Sequence, residues 1–417
     1  MSINRKKILL ILGFIVAVVA IAYLLYFVFL RPSVPGTPNA NTNTTPGVLP
    51  GSQVNANTPV GGNAGVLPGS QVNANIPGAD QGNIPPTVSP IASGGLTEIK
   101  SMNSTKSYGT TLSSDGSSII FYDKITGQFF RLTPDGKSSL LTNNVFNQVD
   151  SIVWAPNKEK AILEYPDGAN ILYNFKTNTQ ITLPKHWKNF DFSPNSNKIV
   201  FKSLGANDDN KWLVAANEDG SNAQKIELIG SEGANVYPQW SPNNQIVTMY
   251  TRDSGLENQD LYFVGLNNEN FKSISLQGRG FQGTWSTQGN RLLYSAYSES
   301  SNLKPNLWIV SAQGEDIGRN QKNLGLQTWA EKCTFSNNDT VYCAVPQSLD
   351  EGAGIFYKDL DNSPCDIYKI DLATGVKSKI AIPATNHNIK SLTVSDNGKY
   401  LYFVSQDNGQ IYQIKLN

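Results

Sequence analysis

The sequence predicts an all-β protein, a seven-bladed β-propeller of four-stranded antiparallel blades over residues 96–417, preceded by a transmembrane helix and a disordered linker. Three observations support the propeller. A marker of one apolar residue, one small residue, a turn cluster and a short apolar strand occurs seven times. Successive markers are 38 to 59 residues apart, around the period of roughly 40–45 residues of a four-stranded blade. Short apolar runs, each of the length of a β-strand, lie between successive markers. The small residues are Ser113, Ala155, Ser193, Ser241, Ser286, Ser336 and Ser395.

The clearest unit is residues 235–276. It contains the four apolar runs VYPQW, IVTMY, DLYFVG and KSISL, and turn residues rich in Asn, Ser and Gly separate them. Short apolar runs bounded by such residues are typical of antiparallel strands joined in a meander. The apolar residue of each marker, as in Trp154, Phe192 and Trp240, is expected to pack in the core.

The second half of the unit also recurs, as in DLYFVGLNNEN and DIYKIDLATG, which begin at residues 260 and 366. Together with WSPNN at residue 240, this pattern resembles the TolB-type, WD-like propeller repeat. The resemblance covers residues 107–417 and implies a propeller. It departs from the family pattern in blades 1 and 2, which lack the full second half. TolB has six blades after a separate domain, so its role in the envelope is not carried over.

Blade 7 has only three strands and no outer fourth strand. Residues 96–101, with the sequence LTEIKS, resemble the outer strands TQITL and KSISL of other blades. An open ring would leave an unpaired strand edge, which folded sheets avoid. We therefore expect residues 96–101 to complete blade 7.

The N-terminal region has two parts. Residues 8–30 are 23 residues without a charge, preceded by Arg5, Lys6 and Lys7, and such a run is long enough to span the bilayer. We interpret it as an uncleaved anchor in the plasma membrane, with residues 1–7 cytoplasmic and the propeller outside. A signal peptide cleaved after the small residues 20–22 is the alternative.

Residues 31–95 contain GVLPGSQVNAN twice, at 47–57 and 65–75, and are expected to be a disordered tether.

Composition narrows the function. Lysine plus arginine equals aspartate plus glutamate at 33 each, which argues against nucleic-acid binding because that requires a basic excess. Three cysteines and two histidines provide few potential ligands for a metal site, and no cofactor is expected. The GxSxG motif of serine hydrolases is absent from the sequence. Acidic segments at 207–211 and 358–366 are interpreted as solvated turns, with calcium binding as the alternative.

Blade 6 contains Cys333 and Cys343. If residues 337–339 form the hairpin loop, Ser336 faces Thr340 and the two cysteines face each other, within disulfide range. An exported location permits the bond. Two buried thiols are the alternative, and Cys365 is expected to remain a free thiol in a loop.

Loop lengths predict the functional face. In a meander a-b-c-d, the b–c loops and d–a connections emerge at one end of the ring, and here the loops of that end are long. Aromatic residues and arginine, which anchor interfaces, gather there. The predicted ligand-binding residues are His186, Trp187, Tyr237, Arg279, Phe281, Trp329, Phe356, Tyr357 and His387.

The predicted function is non-enzymatic: a cell-envelope scaffold that binds a protein, a peptide or an envelope glycan on this face. The alternative is a propeller enzyme, a hydrolase or lyase, acting at the channel mouth. Substituting Trp187 or Trp329 by alanine is expected to weaken binding without unfolding the domain.

Overall fold

The computed structural model describes residues 87–255 and 257–417. Its strands form seven antiparallel sheets, arranged as predicted into the blades of a propeller. The first strands of neighbouring blades lie beside one another and therefore form the innermost ring. The predictions for residues 1–86 (the cytoplasmic tail, the transmembrane helix and most of the linker) lie outside the described residues. Within the described part, no helix is long and apolar enough to cross a membrane.

Two short strands precede the blades, β1 (Leu96–Thr97) and β2 (Lys100–Ser101). Blade 1 contains β3 (Ser107–Leu112), β4 (Ile119–Asp123), β5 (Gln128–Leu132) and β6 (Ser138–Leu140). Blade 2 contains β7 (Ser151–Trp154), β8 (Lys160–Glu164), β9 (Asn170–Asn174) and β10 (Thr179–Leu183). Blade 3 contains β11 (Trp187–Phe192), β12 (Lys198–Leu204), β13 (Lys211–Asn217) and β14 (Gln224–Leu228).

Blade 4 contains β15 (Val236–Pro238), β16 (Thr248–Asp253), β17 (Asn258–Val264) and β18 (Ile274–Gln277). Blade 5 contains β19 (Arg279–Trp285), β20 (Arg291–Tyr297), β21 (Pro305–Ser311) and β22 (Lys322–Asn323). Blade 6 contains β23 (Cys333–Asn337), β24 (Thr340–Pro346), β25 (Cys365–Asp371) and β26 (Lys377–Pro383). Blade 7 contains β27 (Ile389–Val394), β28 (Tyr400–Ser405) and β29 (Ile411–Lys415).

Short helices occur only in connections of the described chain. One α-helical turn, Tyr357–Leu360, lies in the long loop of blade 6. The 3-10 turns are Asp208–Asn210, Gly230–Asn235, Glu299–Ser301, Gly314–Asp316 and Ala330–Lys332.

The repeated marker forms the tight turn between the first two strands of a blade. In blade 1 the Ser113 hydroxyl donates to Asp115 Oδ1, and the Gly116 N–H donates to the Ser113 carbonyl. Gly116 has a φ of +67°, a left-handed conformation that glycine adopts without strain. Ser193, Ser241 and Ser395 repeat the hydroxyl bond to an asparagine two residues later. The marker is therefore a turn whose small residue closes it.

The hydrophobic core lies between the blades. One cluster joins blades 4 and 5 through Met249, Leu261, Phe281 and Leu292, and comparable clusters fill the other interfaces. Trp240 and Phe192 are buried there as expected, whereas Trp154 is only half-buried. Each blade therefore depends on both neighbours for burial of its faces.

The N-terminal segment closes the ring, with one difference from the prediction. Lys100 and Ser101 pair with Gln413 and Tyr412 as the outer strand of blade 7, which confirms closure. Leu96 and Thr97 instead pair in parallel with β26 of blade 6. Contacts with the ring begin before residue 96, because Ser89 bridges Thr97 and the Ala92 N–H donates to the Lys415 carbonyl. The segment thus fills the perimeter between blades 6 and 7.

Cys333 pairs with Cys343 in β23 and β24, and a disulfide joins them. The hairpin differs from the predicted one, because Asn337, not Ser336, faces Thr340. A bulge at Ser336 absorbs the extra residue, so the register further from the turn is the predicted one. The prediction for Cys365 is wrong in one respect: it is free, but it begins β25 and is buried.

Candidate functional site

The long-loop end of the ring is where the innermost strands begin, and several of these strands bulge there. Register shifts lie between Tyr108 and Thr111 in blade 1, between Lys188 and Asp191 in blade 3, and between Arg279 and Gln282 in blade 5. Gly109, Asn189 and Gly280 within them have left-handed backbones. Bulges of this kind re-aim side chains next to binding sites.

Four of the predicted ligand-binding residues are core residues. Trp187 and Phe281 are 8% and 4% exposed, and the Trp187 ring stacks on Phe201 with centroids 3.9 Å apart. Trp329 and His387 are also buried. The predicted loop position is wrong for Trp187, which begins β11, and for Phe281 in β19. It is also wrong for Tyr237 in β15 and for Arg279, which begins β19. Truncating Trp187 or Trp329 is therefore expected to destabilise the fold, contrary to the prediction from sequence.

The other predicted residues are accessible but separated. His186 is exposed in the turn before β11. Tyr237 is half-buried and packs its ring edge-on against Phe281, 5.3 Å between centroids. Arg279 donates from Nη2 to the Gly255 carbonyl, 2.8 Å away, and lies 3.5 Å from Asp253. These three residues line no common site with Phe356 and Tyr357 on blade 6.

A cleft of about 360 Å³ opens at this end between blades 7 and 1. We call it the blade 7–1 cleft. Its walls include Lys106, Tyr108, Tyr357, Lys390, Ser405 and Gln406. Of the predicted residues, Tyr357 lines it directly. His387 supports it from below, because His387 Nδ1 lies 3.3 Å from Ser405 Oγ. Burial lowers the pKa of His387, so a neutral imidazole in a structural role is expected at neutral pH.

Lys106 and Lys390 line this cleft, and Lys124 approaches the ring of Tyr108 beside it. Lys124 Nζ lies 4.5 Å and Lys390 Nζ 5.9 Å from the centroid of the Tyr108 ring. Lys106, Lys124 and Lys390 are exposed, and none of them forms an ion pair with any residue that the structure describes. The Lys390 charge favours ionisation of Glu331, but burial outweighs it and raises the pKa of Glu331. Lys106 and Lys124 flank the paired residues Ser107 and Asp123 of one hairpin. The sequence gives no signal that Lys390 joins them, because it comes from blade 7.

A buried ion pair holds the long loop of blade 6 over the cleft. Lys332 Nζ donates to Asp361 Oδ1 at 2.7 Å and to Asn388 Oδ1 at 3.0 Å, and both charged side chains are 0% exposed. Burial raises the pKa of Asp361, although Lys332 opposes the shift. Tyr357 of the same loop packs against Trp329 with ring centroids 4.8 Å apart. Phe356 is 57% exposed beside it. The loop is therefore anchored at Asp361.

A second cavity, of about 490 Å³, lies among the inner strands of blades 2, 3 and 4. We call it the blade 3–4 cavity. Polar side chains in its wall are Ser151, Glu164, Asn189, Lys202, Tyr237 and Gln239. Burial raises the pKa of the Glu164 carboxyl and lowers the pKa of the Lys202 ammonium. Of the predicted residues, this cavity contains only Tyr237.

Within residues 87–255 and 257–417, no group of three or more His, Cys, Asp or Glu side chains is placed to hold a metal ion. In the acidic segment at 207–211, Asp208 forms an ion pair with Lys211 of the same segment, with Nζ 2.7 Å from Oδ1.

Comparison with known proteins supports the fold alone. No family model and no curated protein matches the sequence. Among solved structures, an oligogalacturonate lyase in complex with manganese matches with a TM-score of 0.55 and 12% identity, covering 76% of this chain and 93% of the other.

Two further matches also cover 76% of this chain. The Swd1 β-propeller domain of Myceliophteria thermophila has a TM-score of 0.51, 10% identity and 100% coverage of its own length. The oligogalacturonate lyase of Vibrio parahaemolyticus has a TM-score of 0.50, 11% identity and 93% coverage. The fold is therefore shared by two oligogalacturonate lyases and by the Swd1 propeller domain, and it does not decide the function.

Proposed function

We propose that this propeller is a binding protein that holds an acidic saccharide in the blade 7–1 cleft. The observation that carries the proposal is a set of exposed lysines without ion pairs among the described residues. Lys106 and Lys390 line the cleft, and Lys124 lies over the Tyr108 ring beside it. Ammonium groups without partners are available to a carboxylate ligand, and hydrogen bonds to charged groups stabilise a complex more than neutral ones do.

The remaining walls suit a sugar better than a peptide. Gln406 is exposed in the wall and offers its amide to sugar hydroxyl groups. Strands contribute only their ends to the cleft: the first residues of β3 and β27 and the last residues of β28. No strand of the described chain presents its full edge to the cleft. An extended peptide usually binds along such an edge. Phe356, the residue before Tyr357 in the long loop, is exposed and offers an apolar surface for the face of a sugar ring.

Anchoring of the long loop supports binding. Asp361 is fixed by Lys332, and Tyr357 by Trp329, so the wall of the cleft is ordered before a ligand arrives. Preorganisation of this kind reduces the entropy lost on binding.

The test is calorimetric titration of the full chain with a short oligogalacturonate and with its methyl-esterified, neutral form. We expect binding of the acidic form only, weakened by salt because exposed charges are screened. Lys106→Gln, Lys124→Gln and Lys390→Gln should each weaken binding by about tenfold.

Lys225→Gln is the matched control, since Lys225 Nζ lies 4.5 Å over the Trp212 ring on blade 3. Equal binding of the two saccharides, or an equal loss in the control, would reject the proposal. Tight binding of a polyglutamate peptide without the saccharide would assign the cleft to an acidic peptide instead.

The enzymatic alternative is tested with the same saccharide. A lyase would generate an unsaturated product with new ultraviolet absorbance, and a hydrolase would generate reducing ends. We expect neither to accumulate. Products that form with the full chain and disappear with Lys390→Gln would establish an enzyme.

We also propose a single-span location in the plasma membrane, with the propeller outside. The support is the charge-free run at residues 8–30 after Arg5, Lys6 and Lys7. Protease added to intact cells should degrade the propeller, and mass analysis should find the N-terminal peptide retained. A mature N-terminus near Tyr23 would instead indicate a cleaved signal peptide.

A further inference from the structure

The blade 3–4 cavity places one acidic and one basic side chain on the same wall, neither neutralised by an ion pair. Glu164 is the last residue of β8 in blade 2, opposite Ser151 in the ladder. It is partly buried, and no lysine or arginine of the described chain approaches its carboxylate to within 4 Å. Lys188 contributes a favourable charge from further away. The carboxylate therefore faces the cavity without a direct counter-ion.

Lys202 contributes the opposite charge from β12 of blade 3. It is 8% exposed, and its Nζ donates one hydrogen bond, to the Gly233 carbonyl at 2.7 Å. An ammonium group has three N–H donors, and two have no acceptor within the described residues. Like Glu164, Lys202 forms no ion pair there. Its charge is thus available to an anionic group in the cavity.

Leaving both charges unpaired is costly, and the pKa shifts reflect this cost. Burial disfavours the charged form of each group, raising the pKa of Glu164 and lowering that of Lys202. A ligand that brings a cation to Glu164 and an anion to Lys202 would compensate both. A ligand of single charge would compensate one group and be repelled by the other.

Part of the wall is apolar. Val153, Phe190, Val236 and Pro238 line the cavity beside the two charges. Phe190 is 4% exposed and packs on Phe201 within the core of blade 3, so this wall is rigid. The cavity thus combines a carboxylate, an ammonium group and a fixed apolar surface.

We propose that the blade 3–4 cavity binds a small zwitterion, an apolar amino acid or short peptide, with its ammonium group on Glu164 and its carboxylate on Lys202. This site is separate from the blade 7–1 cleft and does not depend on the function proposed there. The apolar side chain would lie against Phe190 and Val236. Hydrogen bonding by the Asn189 N–H, in its left-handed bulge, and by Ser151 favours the charged form of Glu164.

The first experiment needs no substitution. Leucine, dileucine and trileucine are titrated into the full chain, because these probes place the two charges at increasing separation. For the probe that binds best, the N-acetylated and the C-amidated forms should each bind at least about tenfold more weakly, since each leaves one buried charge unpaired. If none of the three probes binds at millimolar concentration, or if both capped forms bind equally well, the proposal is rejected.

The second experiment tests which residue binds the ammonium group of the ligand and which binds its carboxylate. In Glu164→Gln the N-acetylated probe should bind as well as the free one, and in Lys202→Met the amidated probe should match the free acid. Glu159→Gln and Lys225→Met are matched controls on the same two blades and should keep the full discrimination. Glu159 is half-buried and paired with Lys176, and Lys225 is exposed. Loss of discrimination in the controls would contradict the assignment. Binding should also persist in Lys390→Gln, which separates this result from the test of the cleft.

Discussion

The blade 7–1 cleft and the blade 3–4 cavity lie at the same end of the ring but are built differently. Loops and the N-terminal segment wall the cleft, and a buried ion pair 0% exposed to solvent holds its main loop. The inner strands themselves wall the cavity, and its two charges are unpaired. The cleft carries an excess of one sign of charge on its surface, whereas the cavity carries one charge of each sign within its walls. The comparison shows how one scaffold can offer selectivity for net charge at one place and for a pair of charges at another.

The two sites should also differ in their response to salt. Exposed lysines around Tyr108 are screened by ions in solution. Lys202, 8% exposed, is screened less. Salt dependence of binding therefore distinguishes the two sites when the ligand is unknown.

The largest loss of stability should come from breaking the buried ion pair between Lys332 and Asp361. Asp361→Ala leaves Lys332 buried without a counter-ion and should lower the free energy of unfolding by about 3–5 kcal/mol, measured in urea. Binding in the cleft should be lost, whereas leucine probes should still bind in the cavity under native conditions. The double variant Lys332→Met with Asp361→Leu should recover most of the stability. A single variant as stable as the parent would show that the ion pair does not hold the loop.

Closure of the ring beside the cleft should be nearly as sensitive. Met102 is 6% exposed and packs between blades 7 and 1 against Phe121 and Tyr402. Met102→Ala should cost about 2–5 kcal/mol. Because no covalent connection joins β29 to β3, we expect hydrogen exchange to increase first in β2, β3 and β29, with β11 and β15 still protected. An equal increase in all blades would contradict this local weakness.

A pH-dependent effect of about 3 kcal/mol on the free energy of unfolding is expected from Asp191 in β11. Asp191 Oδ2 accepts a hydrogen bond from the Trp240 N–H at 2.6 Å, and burial raises the pKa of Asp191 from 3.8 to about 6. The folded protein therefore keeps a proton on Asp191 that the unfolded chain has lost between pH 4 and pH 6. Stability from this group is greatest at low pH and falls by about 3 kcal/mol as the pH rises through this range.

Asp191→Asn should remove this dependence. Unfolding in urea from pH 4 to pH 7 would measure it, as the difference between the two proteins. Parallel pH profiles would show that the pKa of Asp191 is not perturbed.

The smallest effect on stability is expected at the rim of the cleft. Phe356 is 57% exposed, so Phe356→Ala should change the free energy of unfolding by no more than about 0.5 kcal/mol. It should weaken saccharide binding several-fold without affecting the leucine probes. Trp329→Ala is the contrasting change, because the indole is 2% exposed and its loss should cost about 3–5 kcal/mol. A large loss of stability in Phe356→Ala would place that ring in the core.

Much of the fold could be predicted from the sequence because contacts within a blade are local. The marker Ser193-Pro194-Asn195 forms a turn through bonds among neighbouring residues. Strand pairing follows from it, and so does the facing of Cys333 and Cys343. Closure was also predictable, since an unpaired edge on blade 7 requires a partner.

Only the tertiary structure decided which side chains meet around the axis. Lys106 and Lys124 come from blade 1 and Lys390 from blade 7, and Glu164 and Lys202 come from blades 2 and 3, so no spacing in the sequence relates the residues of different blades. Bulges at the start of the inner strands shift the alternation of faces, and therefore strand period could not tell an aromatic ring in the core, such as Trp187, from one at the mouth. Local pairing is encoded by neighbouring residues, whereas the sites depend on how seven separately encoded blades pack around one axis.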